Sequence, residues 1–294
     1  MPTSLERALN YLRCPLCGEA FGALDRAIAC PSGHSFDVAH HGYVSLLVGN
    51  ASAATADTAA MVAARQRFLG QGYYDVIADA ISAAVPGDAS GVCVDLGGGT
   101  GYYLARLLDT HPGLDGIDLD LSKHALRRAA RAHPRLAAIA ADAWKPLPIR
   151  DSAASCVLST FSPRNAPEIR RMLAPSGRLV VTIPTPRHLT ELVGTLGLVT
   201  VDDRKEERLD AQLHDFERLS RTSVDYPIEL RHDEVLDAIL MGPSARHVEA
   251  ATLADRVAEL EAPVRVTVSV NVTVYRGAAS SRAFQQEDSE PAPL

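Results

Sequence analysis

The sequence lacks features that would assign it to three large classes of protein. It has 29 Lys and Arg against 36 Asp and Glu, a formal net charge of -7, so it is not a generally basic nucleic-acid binder. Contact with RNA or DNA must therefore come from local patches. No apolar run reaches the length of a bilayer span, and the N-terminus, MPTSLERALNYLRC, lacks the apolar core of a secretory signal. We expect a cytoplasmic protein without a membrane partner.

Cysteine is also scarce, with five in 294 residues. An odd number of thiols in a reducing compartment disfavours a disulfide framework. The apolar content of 47% is ordinary for a globular chain with a real core, and the length fits one large domain and one small domain. The last residues, 277–294, are small, polar and proline-containing, and we expect them to form a disordered tail.

Three of the five cysteines lie close together with a histidine near the N-terminus. The spacing is C-x2-C, twelve residues, then C-x3-H, and each pair lies on a turn with Pro or Gly. Three thiolates and one imidazole at this spacing fit a closed, structural zinc site. The alternative is that the cysteines are buried structural residues and the histidine is unrelated to them, since this would produce the same sequence pattern. About forty residues bury little core alone, so a metal that adds folding energy fits here. The expected ligands are Cys14, Cys17, Cys30 and His34.

A glycine-rich turn follows a short apolar run at 92–96 and precedes an amphipathic helical pattern. This order of strand, turn and helix begins a doubly wound α/β sheet. The dinucleotide pattern G-x-G-x-x-G fails because Tyr102 stands at its last glycine; the chain reads D-x-G-x-G-x-G instead. That pattern resembles motif I of the S-adenosylmethionine-dependent methyltransferases. By this resemblance, the glycines approach the methionine part of the cofactor and the acid helps orient its amino group; the residues are Asp95, Gly97, Gly99 and Gly101.

Further strand patterns carry acids at their ends. The second strand ends with Asp118 and Asp120, and either carboxylate could accept both ribose hydroxyls. Asp142, after the next strand, could meet the adenine amino group. The last pattern, 264–275, alternates cleanly and suits the antiparallel edge strand of such a sheet. Strands separated by helices predict a doubly wound α/β domain over 91–276.

Several longer motifs make the resemblance specific. The chain is similar to the bacterial 23S rRNA (guanine-N1)-methyltransferases, a group that includes macrolide-resistance enzymes, over nearly its whole length to about residue 275. The motifs are the four zinc ligands, HSFDVAHHGYVSLL, MVAARQRFLGQGYY, the glycine loop, LDLSK, FSPRNAPE, PRHLTEL and MGPSARH. The resemblance implies a Rossmann-like methyltransferase domain, a zinc-binding RNA-recognition module at 1–48 and a helical linker at 49–90 that contributes to the cofactor pocket. It assigns cofactor-binding roles to Tyr74, Gly99, Thr100 and His188, and it favours Asp120 over Asp118 for the ribose.

The resemblance also implies the substrate and the assembly. We expect methylation of a guanine in the hairpin 35 loop of 23S rRNA, a contribution to macrolide resistance, and a homodimer. Arg164 or Asn165 is expected to contact the guanine edge or a phosphate, although Pro163 could simply shape the turn and Arg164 cap a helix. RNA is expected on the zinc module and on 51–71, where Arg65 and Arg67 lie on a helix.

Two other functions fit parts of the pattern. One is a methyltransferase acting on a small molecule or another RNA, with the zinc module used for assembly. The other is a non-catalytic zinc-dependent RNA-binding protein that kept a degenerate cofactor fold. The intact motif I residues disfavour the second, and the long zinc module disfavours a small substrate.

Overall fold

The computed structural model describes residues 2–49, 56–196, 204–246 and 249–278. The expected tail at 277–294 lies outside these residues from position 279 onward. The helices are Ser4–Ala8 (α1), Ala59–Gly70 (α2), Asp75–Ala83 (α3), Tyr102–Thr110 (α4), Lys123–Ala129 (α5), Ala166–Met172 (α6), Thr190–Leu196 (α7), Lys205–Gln212 (α8), His232–Leu240 (α9) and Ala250–Ala258 (α10). The strands are Gly22–Leu24 (β1), Ala27–Ala29 (β2), Ser35–Asp37 (β3), Val44–Ser45 (β4), Gly91–Leu96 (β5), Leu114–Asp120 (β6), Leu136–Ala140 (β7), Ala154–Thr160 (β8), Leu173–Pro184 (β9), Phe216–Leu230 (β10) and Val264–Gly277 (β11).

The strands form two sheets. The small N-terminal sheet has the antiparallel order β1-β2-β3. The large sheet has eight strands in the order β10-β11-β9-β8-β5-β6-β7-β4. All its pairs from β4 to β9 are parallel, whereas β11 pairs antiparallel with both β9 and β10. The expected doubly wound α/β fold is confirmed.

The order of the strands determines where a ligand can bind. From β5 the chain moves outward to β6 and β7 on one side, then returns to place β8 and β9 on the other side. The loops after β5 and β8 therefore diverge and leave a crevice at the carboxyl ends of the strands. The glycine loop leaves β5 at this point.

Helices cover both faces of the large sheet, so each face has its own core. One core joins α2, α3, α4, α9 and α10 to residues of the sheet. The other core joins α1, α6 and the N-terminal module to the opposite face. None of the described helices is both long and apolar enough to cross a bilayer.

The N-terminal module is continuous with the large sheet. Val44 and Ser45, inside the expected 1–48 module, pair in parallel with Ile139 and Ala140 and form the edge strand β4. Leu12 forms a bridge with Ile149 and is fully buried. The small module therefore rests on the large domain through hydrogen bonds and a shared core.

The strand predicted to form an edge of the sheet, β11, is the second strand from that edge. β11 is antiparallel, as expected, but β10 covers its outer side along almost its whole length. The sequence of β10 gave little signal because most of its side chains are exposed and polar, so no apolar alternation marks it.

β11 carries polar side chains at buried positions, among them Asn271, whose amide accepts from Ser223 and donates to Glu206.

We expect Leu12→Ala to destabilise the whole protein. Leu12 is 0% exposed between the zinc module and the sheet, and truncation of such a side chain costs about 2–5 kcal/mol. Leu24→Ala is the matched control because Leu24, on β1 of the same module, is 58% exposed. Chemical denaturation should show one transition, shifted for the first variant and unchanged within about 0.5 kcal/mol for the control. A zinc module that unfolds in a separate, earlier transition would contradict the shared core.

Candidate functional site

Four side chains near the N-terminus converge on one point. The ligand atoms of Cys14, Cys17, Cys30 and His34 all lie within 4.8 Å of one another. The Sγ atoms of Cys17 and Cys30 are 3.5 Å apart, and His34 Nδ1 lies 3.4 Å from Cys30 Sγ and 3.6 Å from Cys14 Sγ. A zinc ion with Zn–S of about 2.3 Å and Zn–N of about 2.0 Å sets ligand spacings of roughly 3.5–3.8 Å in a tetrahedron. The four residues therefore fit zinc with no open coordination position, and the site is structural.

Two tight turns aim these side chains. Gly18 and Gly33 have φ of +79° and +84°, a conformation that glycine adopts without strain, and each N–H donates back to the carbonyl of a ligand cysteine. Glu19 joins the turns, because its Oε2 accepts from Ser32 N at 3.0 Å and lies 3.4 Å from Cys17 Sγ. The other two cysteines, Cys93 and Cys156, are buried in the sheet, as predicted.

A cavity of about 830 Å³ lies at the carboxyl ends of the central strands. It is large enough for a nucleoside-sized ligand. Most of the residues predicted to bind the cofactor line this cavity: Tyr74, Asp95, Gly97, Gly99, Thr100, Asp120, Asp142 and His188. Residues scattered over 115 positions of sequence therefore meet at one site.

The glycine loop leaves no room for side chains at the floor of the cavity. Gly97 and Gly99 have φ of +65°. A Cβ added at Gly98 would lie 2.8 Å from Asp95 Oδ2 and 2.7 Å from Asp118 Oδ2, closer than real Cβ contacts. The backbone of the loop can thus approach a ligand directly.

Gly101 has a different task from the other loop glycines. It does not line the cavity. A Cβ added there would lie 3.1 Å from Leu136 Cδ1 and 3.2 Å from Ala129 Cα, so this glycine lets the start of α4 pack closely against α5 and β7. Its φ of +76° also suits the position before the helix.

The two acids of β6 differ in their positions relative to the cavity. Asp120 is the last residue of β6 and lines the cavity, where its Oδ2 accepts from Gly99 N at 3.0 Å and its Oδ1 from Ser122 N at 2.7 Å. Each carboxylate oxygen has a second lone pair, so the group can still accept from two ribose hydroxyls. Asp118 lies two residues deeper, is 0% exposed and does not line the cavity.

Two buried carboxylates, Asp95 and Asp118, lie under the loop. No oxygen of Asp95 or Asp118 accepts a hydrogen bond within the described part of the chain. Burial, together with the nearby charge of Asp120, raises the pKa of Asp95 to about 7. Burial also raises the pKa of Asp118 well above its usual range, with Asp95 and Asp120 adding repulsion. An orphaned buried carboxylate at a cavity wall fits a cationic ligand group such as the ammonium of S-adenosylmethionine.

Asp142 lies in a turn after β7. Its Oδ1 accepts from Trp144 N at 2.9 Å, and its carbonyl accepts from Lys145 N at 3.0 Å. Trp144 also lines the cavity and is 63% exposed. The sequence motif suggested Asp142 for the adenine, and the structure places an indole ring beside it that sequence reasoning had not singled out.

Tyr74 and His188 form a pair whose proton positions follow from their partners. The backbone N–H of Ser269 donates to His188 Nδ1 at 3.2 Å, so Nδ1 is unprotonated and Nε2 carries the proton. His188 Nε2 then donates to Tyr74 Oη at 3.1 Å. Both ring nitrogens of His188 are therefore engaged in hydrogen bonds. Burial raises the pKa of Tyr74, so its hydroxyl stays protonated and can donate to a ligand.

The two arginines expected to contact RNA have partners inside the protein. Arg65 lines the cavity, forms an ion pair with Asp57 and donates to the carbonyl of Met241 at 2.7 Å. Arg67 donates twice to Asp237, at 2.5 and 2.8 Å. Both arginines therefore hold α2 against α9 and the cavity, and the expected contact of 51–71 with RNA stays a prediction. Residues 51–55 of that segment lie outside the described part of the chain.

The two residues expected at the methyl acceptor lie outside the cavity lining. Arg164 donates to Gln212 Oε1 at 3.3 Å and to the carbonyl of Ser162 at 3.2 Å. Asn165 caps α6 through its contact with Glu168 N at 3.5 Å. Their neighbours Ser162 and Pro163 do line the cavity. Ser162 and Pro163, in the first half of the turn, therefore lie at the cavity. The hydrogen bonds of Arg164 and Asn165 hold the second half of the turn in place.

Phe161, just before that turn, is a site residue that sequence reasoning missed. It is 40% exposed in the cavity wall and has φ of +54°, which is uncommon for a bulky residue. Its ring stacks on His188 with centroids 5.9 Å apart and planes at 29°. The signal in sequence was its position directly after the strand ASCVLST, where a doubly wound fold places ligands.

The zinc assignment makes a direct prediction. The purified protein should contain one zinc per chain by atomic emission, and Cys30→Ala should lose it, because three protein ligands hold the ion far less tightly. Cys93→Ala is the matched control, since Cys93 is also buried but lies in the large sheet. Full zinc in Cys30→Ala, or none in the wild type, would refute the site.

The raised pKa of Asp95 predicts pH-dependent cofactor binding. The carboxyl group is protonated below about pH 7 in the free protein, and pairing with an ammonium favours its charged form. Affinity for S-adenosylmethionine should therefore be full above pH 7 and fall below it by up to about tenfold per pH unit. Asp95→Asn should bind S-adenosylmethionine more weakly and without this pH dependence. Asp142→Asn should also bind it more weakly but should keep the pH dependence. Calorimetry between pH 5.5 and 7.5 measures this, and a wild-type affinity that is flat across that range would contradict the assignment.

Comparison with known families gives two matches along the chain. Residues 12–50 match the family described as RlmA, N-terminal, a zinc ribbon, and residues 94–181 match the family described as Methyltransferase domain. A Haloferax volcanii protein, provisionally named a methyltransferase and solved with the Trm112 methyltransferase activator, superposes with a TM-score of 0.50 at 21% identity. That superposition covers 76% of this chain and 99% of the other chain, and it shows the shared fold.

Curated relatives extend over nearly the whole chain. The 23S rRNA (guanine(748)-N(1))-methyltransferase of Streptomyces fradiae is 45% identical over 92% of this chain and 98% of its own length. A Micromonospora griseorubida protein, provisionally named 23S rRNA (guanine-N(1)-)-methyltransferase, is 45% identical over 91% of this chain and 98% of its own length. The sequence resemblance is thereby confirmed, and S-adenosylmethionine and a structural zinc are the cofactors that the two domains require. The chain belongs to the family of 23S rRNA (guanine-N1)-methyltransferases.

Proposed function

We propose that the protein transfers a methyl group from S-adenosylmethionine to N1 of a guanine in 23S rRNA, in the loop of hairpin 35. The observation that carries this proposal is the 45% identity, over 98% of its length, to a relative named for guanine 748 of 23S rRNA. The zinc ribbon supports an RNA substrate, because it adds an ordered module that a small metabolite would not need. Methylation at this position is expected to hinder macrolide binding and so contribute to resistance.

The cavity residues divide the work of holding the cofactor. Bound S-adenosylmethionine supplies an electrophilic methyl group. Asp95 would pair with its ammonium, Asp120 would accept from the ribose hydroxyls, and Asp142 would accept from the adenine amine. Fixing the position of the methyl donor matters because orientation alone can lower a barrier by about 7–11 kcal/mol.

The acceptor must enter beside Phe161. Guanine N1 carries a proton and lies on the pairing edge, so the base must be exposed and deprotonated before it can be methylated. In an RNA loop the cost of unstacking a base is smallest. The half-exposed ring of Phe161 offers a stacking surface at the carboxyl end of β8, and His188 beneath it fixes the ring plane. His188 uses both ring nitrogens in hydrogen bonds, so its role is to position rings and the hydroxyl of Tyr74 rather than to accept the guanine proton.

A homodimer belongs to the same proposal. The resemblance implies two chains whose cleft holds the RNA. Sedimentation should then give a mass near twice 31.4 kDa, and a monomer at assay concentrations would count against this part.

Radiolabelled S-adenosylmethionine tests the reaction. The protein is incubated with an unmodified 23S rRNA fragment containing hairpin 35, and the product is mapped by reverse transcription, which stops at an N1-methylated guanine. We expect a single stop in the loop. Label that appears only on small molecules from an extract, or on another RNA, would reject the proposed substrate.

Phe161→Ala should impair RNA methylation while leaving cofactor binding intact. Loss of one aromatic stacking surface costs about 1–3 kcal/mol, so kcat/KM for the RNA fragment should fall by a factor of roughly 5 to 150. Phe161→Tyr should retain activity because it keeps the ring, and Phe161→Leu should behave like the alanine variant. Equal loss of cofactor affinity in the alanine variant would show that the ring serves the cofactor instead.

A further inference from the structure

A group of basic side chains lies beside the cavity without acidic partners. Lys123, Arg127 and Arg131 are spaced four residues apart, so they lie along one side of α5 and the turn after it. Within the described part of the chain, none of the three forms an ion pair with a carboxylate. The Nε of Arg127 is buried without a hydrogen-bond partner. Arginines elsewhere, such as Arg106 and Arg171, each pair with two acids.

The zinc-bearing module adds two histidines to this group. His40 and His41 lie between β3 and β4, with ring centroids 5.4 Å apart. Arg131 Nη2 donates to His41 Nδ1 at 3.2 Å. Burial, followed by the charges of Arg127 and Arg131 and by His40, lowers the pKa of His41. The cations of α5 therefore act on the N-terminal module, and the two surfaces are continuous.

His124 completes the cluster on α5. Burial and the charges of Lys123 and Arg127 lower its pKa. We name the whole group the basic patch; it comprises His40, His41, Lys123, His124, Arg127 and Arg131.

The basic patch concentrates positive charge in a protein whose net charge is negative. The chain has a formal net charge of -7, yet Lys123, Arg127 and Arg131 gather here without a carboxylate partner among the described residues. Three imidazoles lie beside them. Like charges in contact destabilise the folded state, and an anion that docks on them removes that repulsion. A partner with regularly spaced negative charges fits better than a single carboxylate.

The patch also lies next to the site of reaction. Asp120 lines the cavity, and α5 begins three residues later. Ser122, which caps α5, donates to the carbonyl of Asp57, and Asp57 also lines the cavity. A chain bound along the patch would therefore run from the zinc-bearing module to the mouth of the cavity.

We propose that the basic patch binds the sugar–phosphate backbone of the substrate RNA and holds the hairpin beside the cavity. This inference rests on the proposed function. It assigns phosphate binding to α5 and the His40–His41 segment, in place of Arg65 and Arg67, whose charges are paired internally.

The test removes two charges of the patch, those of Lys123 and Arg131, by substitution with glutamine. Binding of the unmodified hairpin 35 fragment is measured from 50 to 300 mM salt. We expect the double variant to bind roughly tenfold or more weakly at low salt, and its slope of log K against log salt to be shallower by about 0.7–0.9 for each phosphate that the variant no longer neutralises. Its affinity for S-adenosylmethionine, measured by calorimetry, should equal that of the wild type.

The matched control replaces Arg178 and Arg265 by glutamine. Arg178 lies on β9 and Arg265 on β11. In the order of the sheet, β8, β5 and β6 separate these strands from β7, against which α5 packs. The two replacements remove the same net charge as the patch variant. The control should bind RNA within about twofold of the wild type. Equal weakening in both variants would reduce the effect to net charge and overturn the proposal, as would a patch variant with unchanged affinity and salt slope.

The outcomes separate this proposal from the proposed function. A wild type that binds the fragment through the patch but does not methylate it would overturn the function and leave the patch in place. A wild type that methylates the fragment while the patch variant binds it equally well would overturn the patch alone. A wild type that binds no RNA, or whose patch binds anionic phospholipid vesicles instead, would reject the RNA-binding role.

Discussion

The desolvation of Asp95 and Asp118 is the constraint on which the site depends. Two neighbouring strands place these carboxylates side by side beneath the glycine loop, and the described part of the protein supplies neither with a hydrogen-bond donor. A buried carboxylate without a partner destabilises the folded protein unless it takes up a proton or meets a cation. A cationic ligand can thus supply the partner that the two carboxylates lack. The glycine loop, which tolerates no Cβ at Gly98, lets such a ligand approach them. The ribose and adenine contacts proposed for Asp120 and Asp142 extend from this anchor.

The zinc-bearing module matters because it is joined to the same sheet. β4 extends the sheet beyond β7, and the buried Leu12 contributes to the core on one face of the sheet. The ion would hold the two turns of the module, while the sheet holds the module against α5. An RNA that contacts both surfaces therefore meets a rigid frame, which limits the entropy lost when a folded hairpin is positioned over the cavity.

Sequence reasoning located the parts of the site whose arrangement depends on local spacing. The four zinc ligands, the glycine loop and the acids at the strand ends are set by short motifs whose geometry the local backbone determines. It did not find partners that are distant in sequence: Arg67 pairs with Asp237 and Arg65 with Met241, about 170 positions away, and no local signal separates such arginines from unpaired ones. The parallel pairing of Val44 and Ser45 and the cover of β11 by β10 were missed for the same reason. Phe161 and Trp144 were missed because a lone aromatic residue in a loop resembles a core residue until its exposure is known.

Proton release on cofactor binding tests the central claim most directly. At pH 6 the carboxyl group of Asp95 is mostly protonated in the free protein, since its pKa is raised to about 7, and pairing with an ammonium must expel that proton. Calorimetry of S-adenosylhomocysteine binding in buffers of different ionisation enthalpy counts the protons. The account predicts release of close to one proton per chain at pH 6 and none from Asp95→Asn. Tight binding at pH 6 without proton release in the wild type would contradict it.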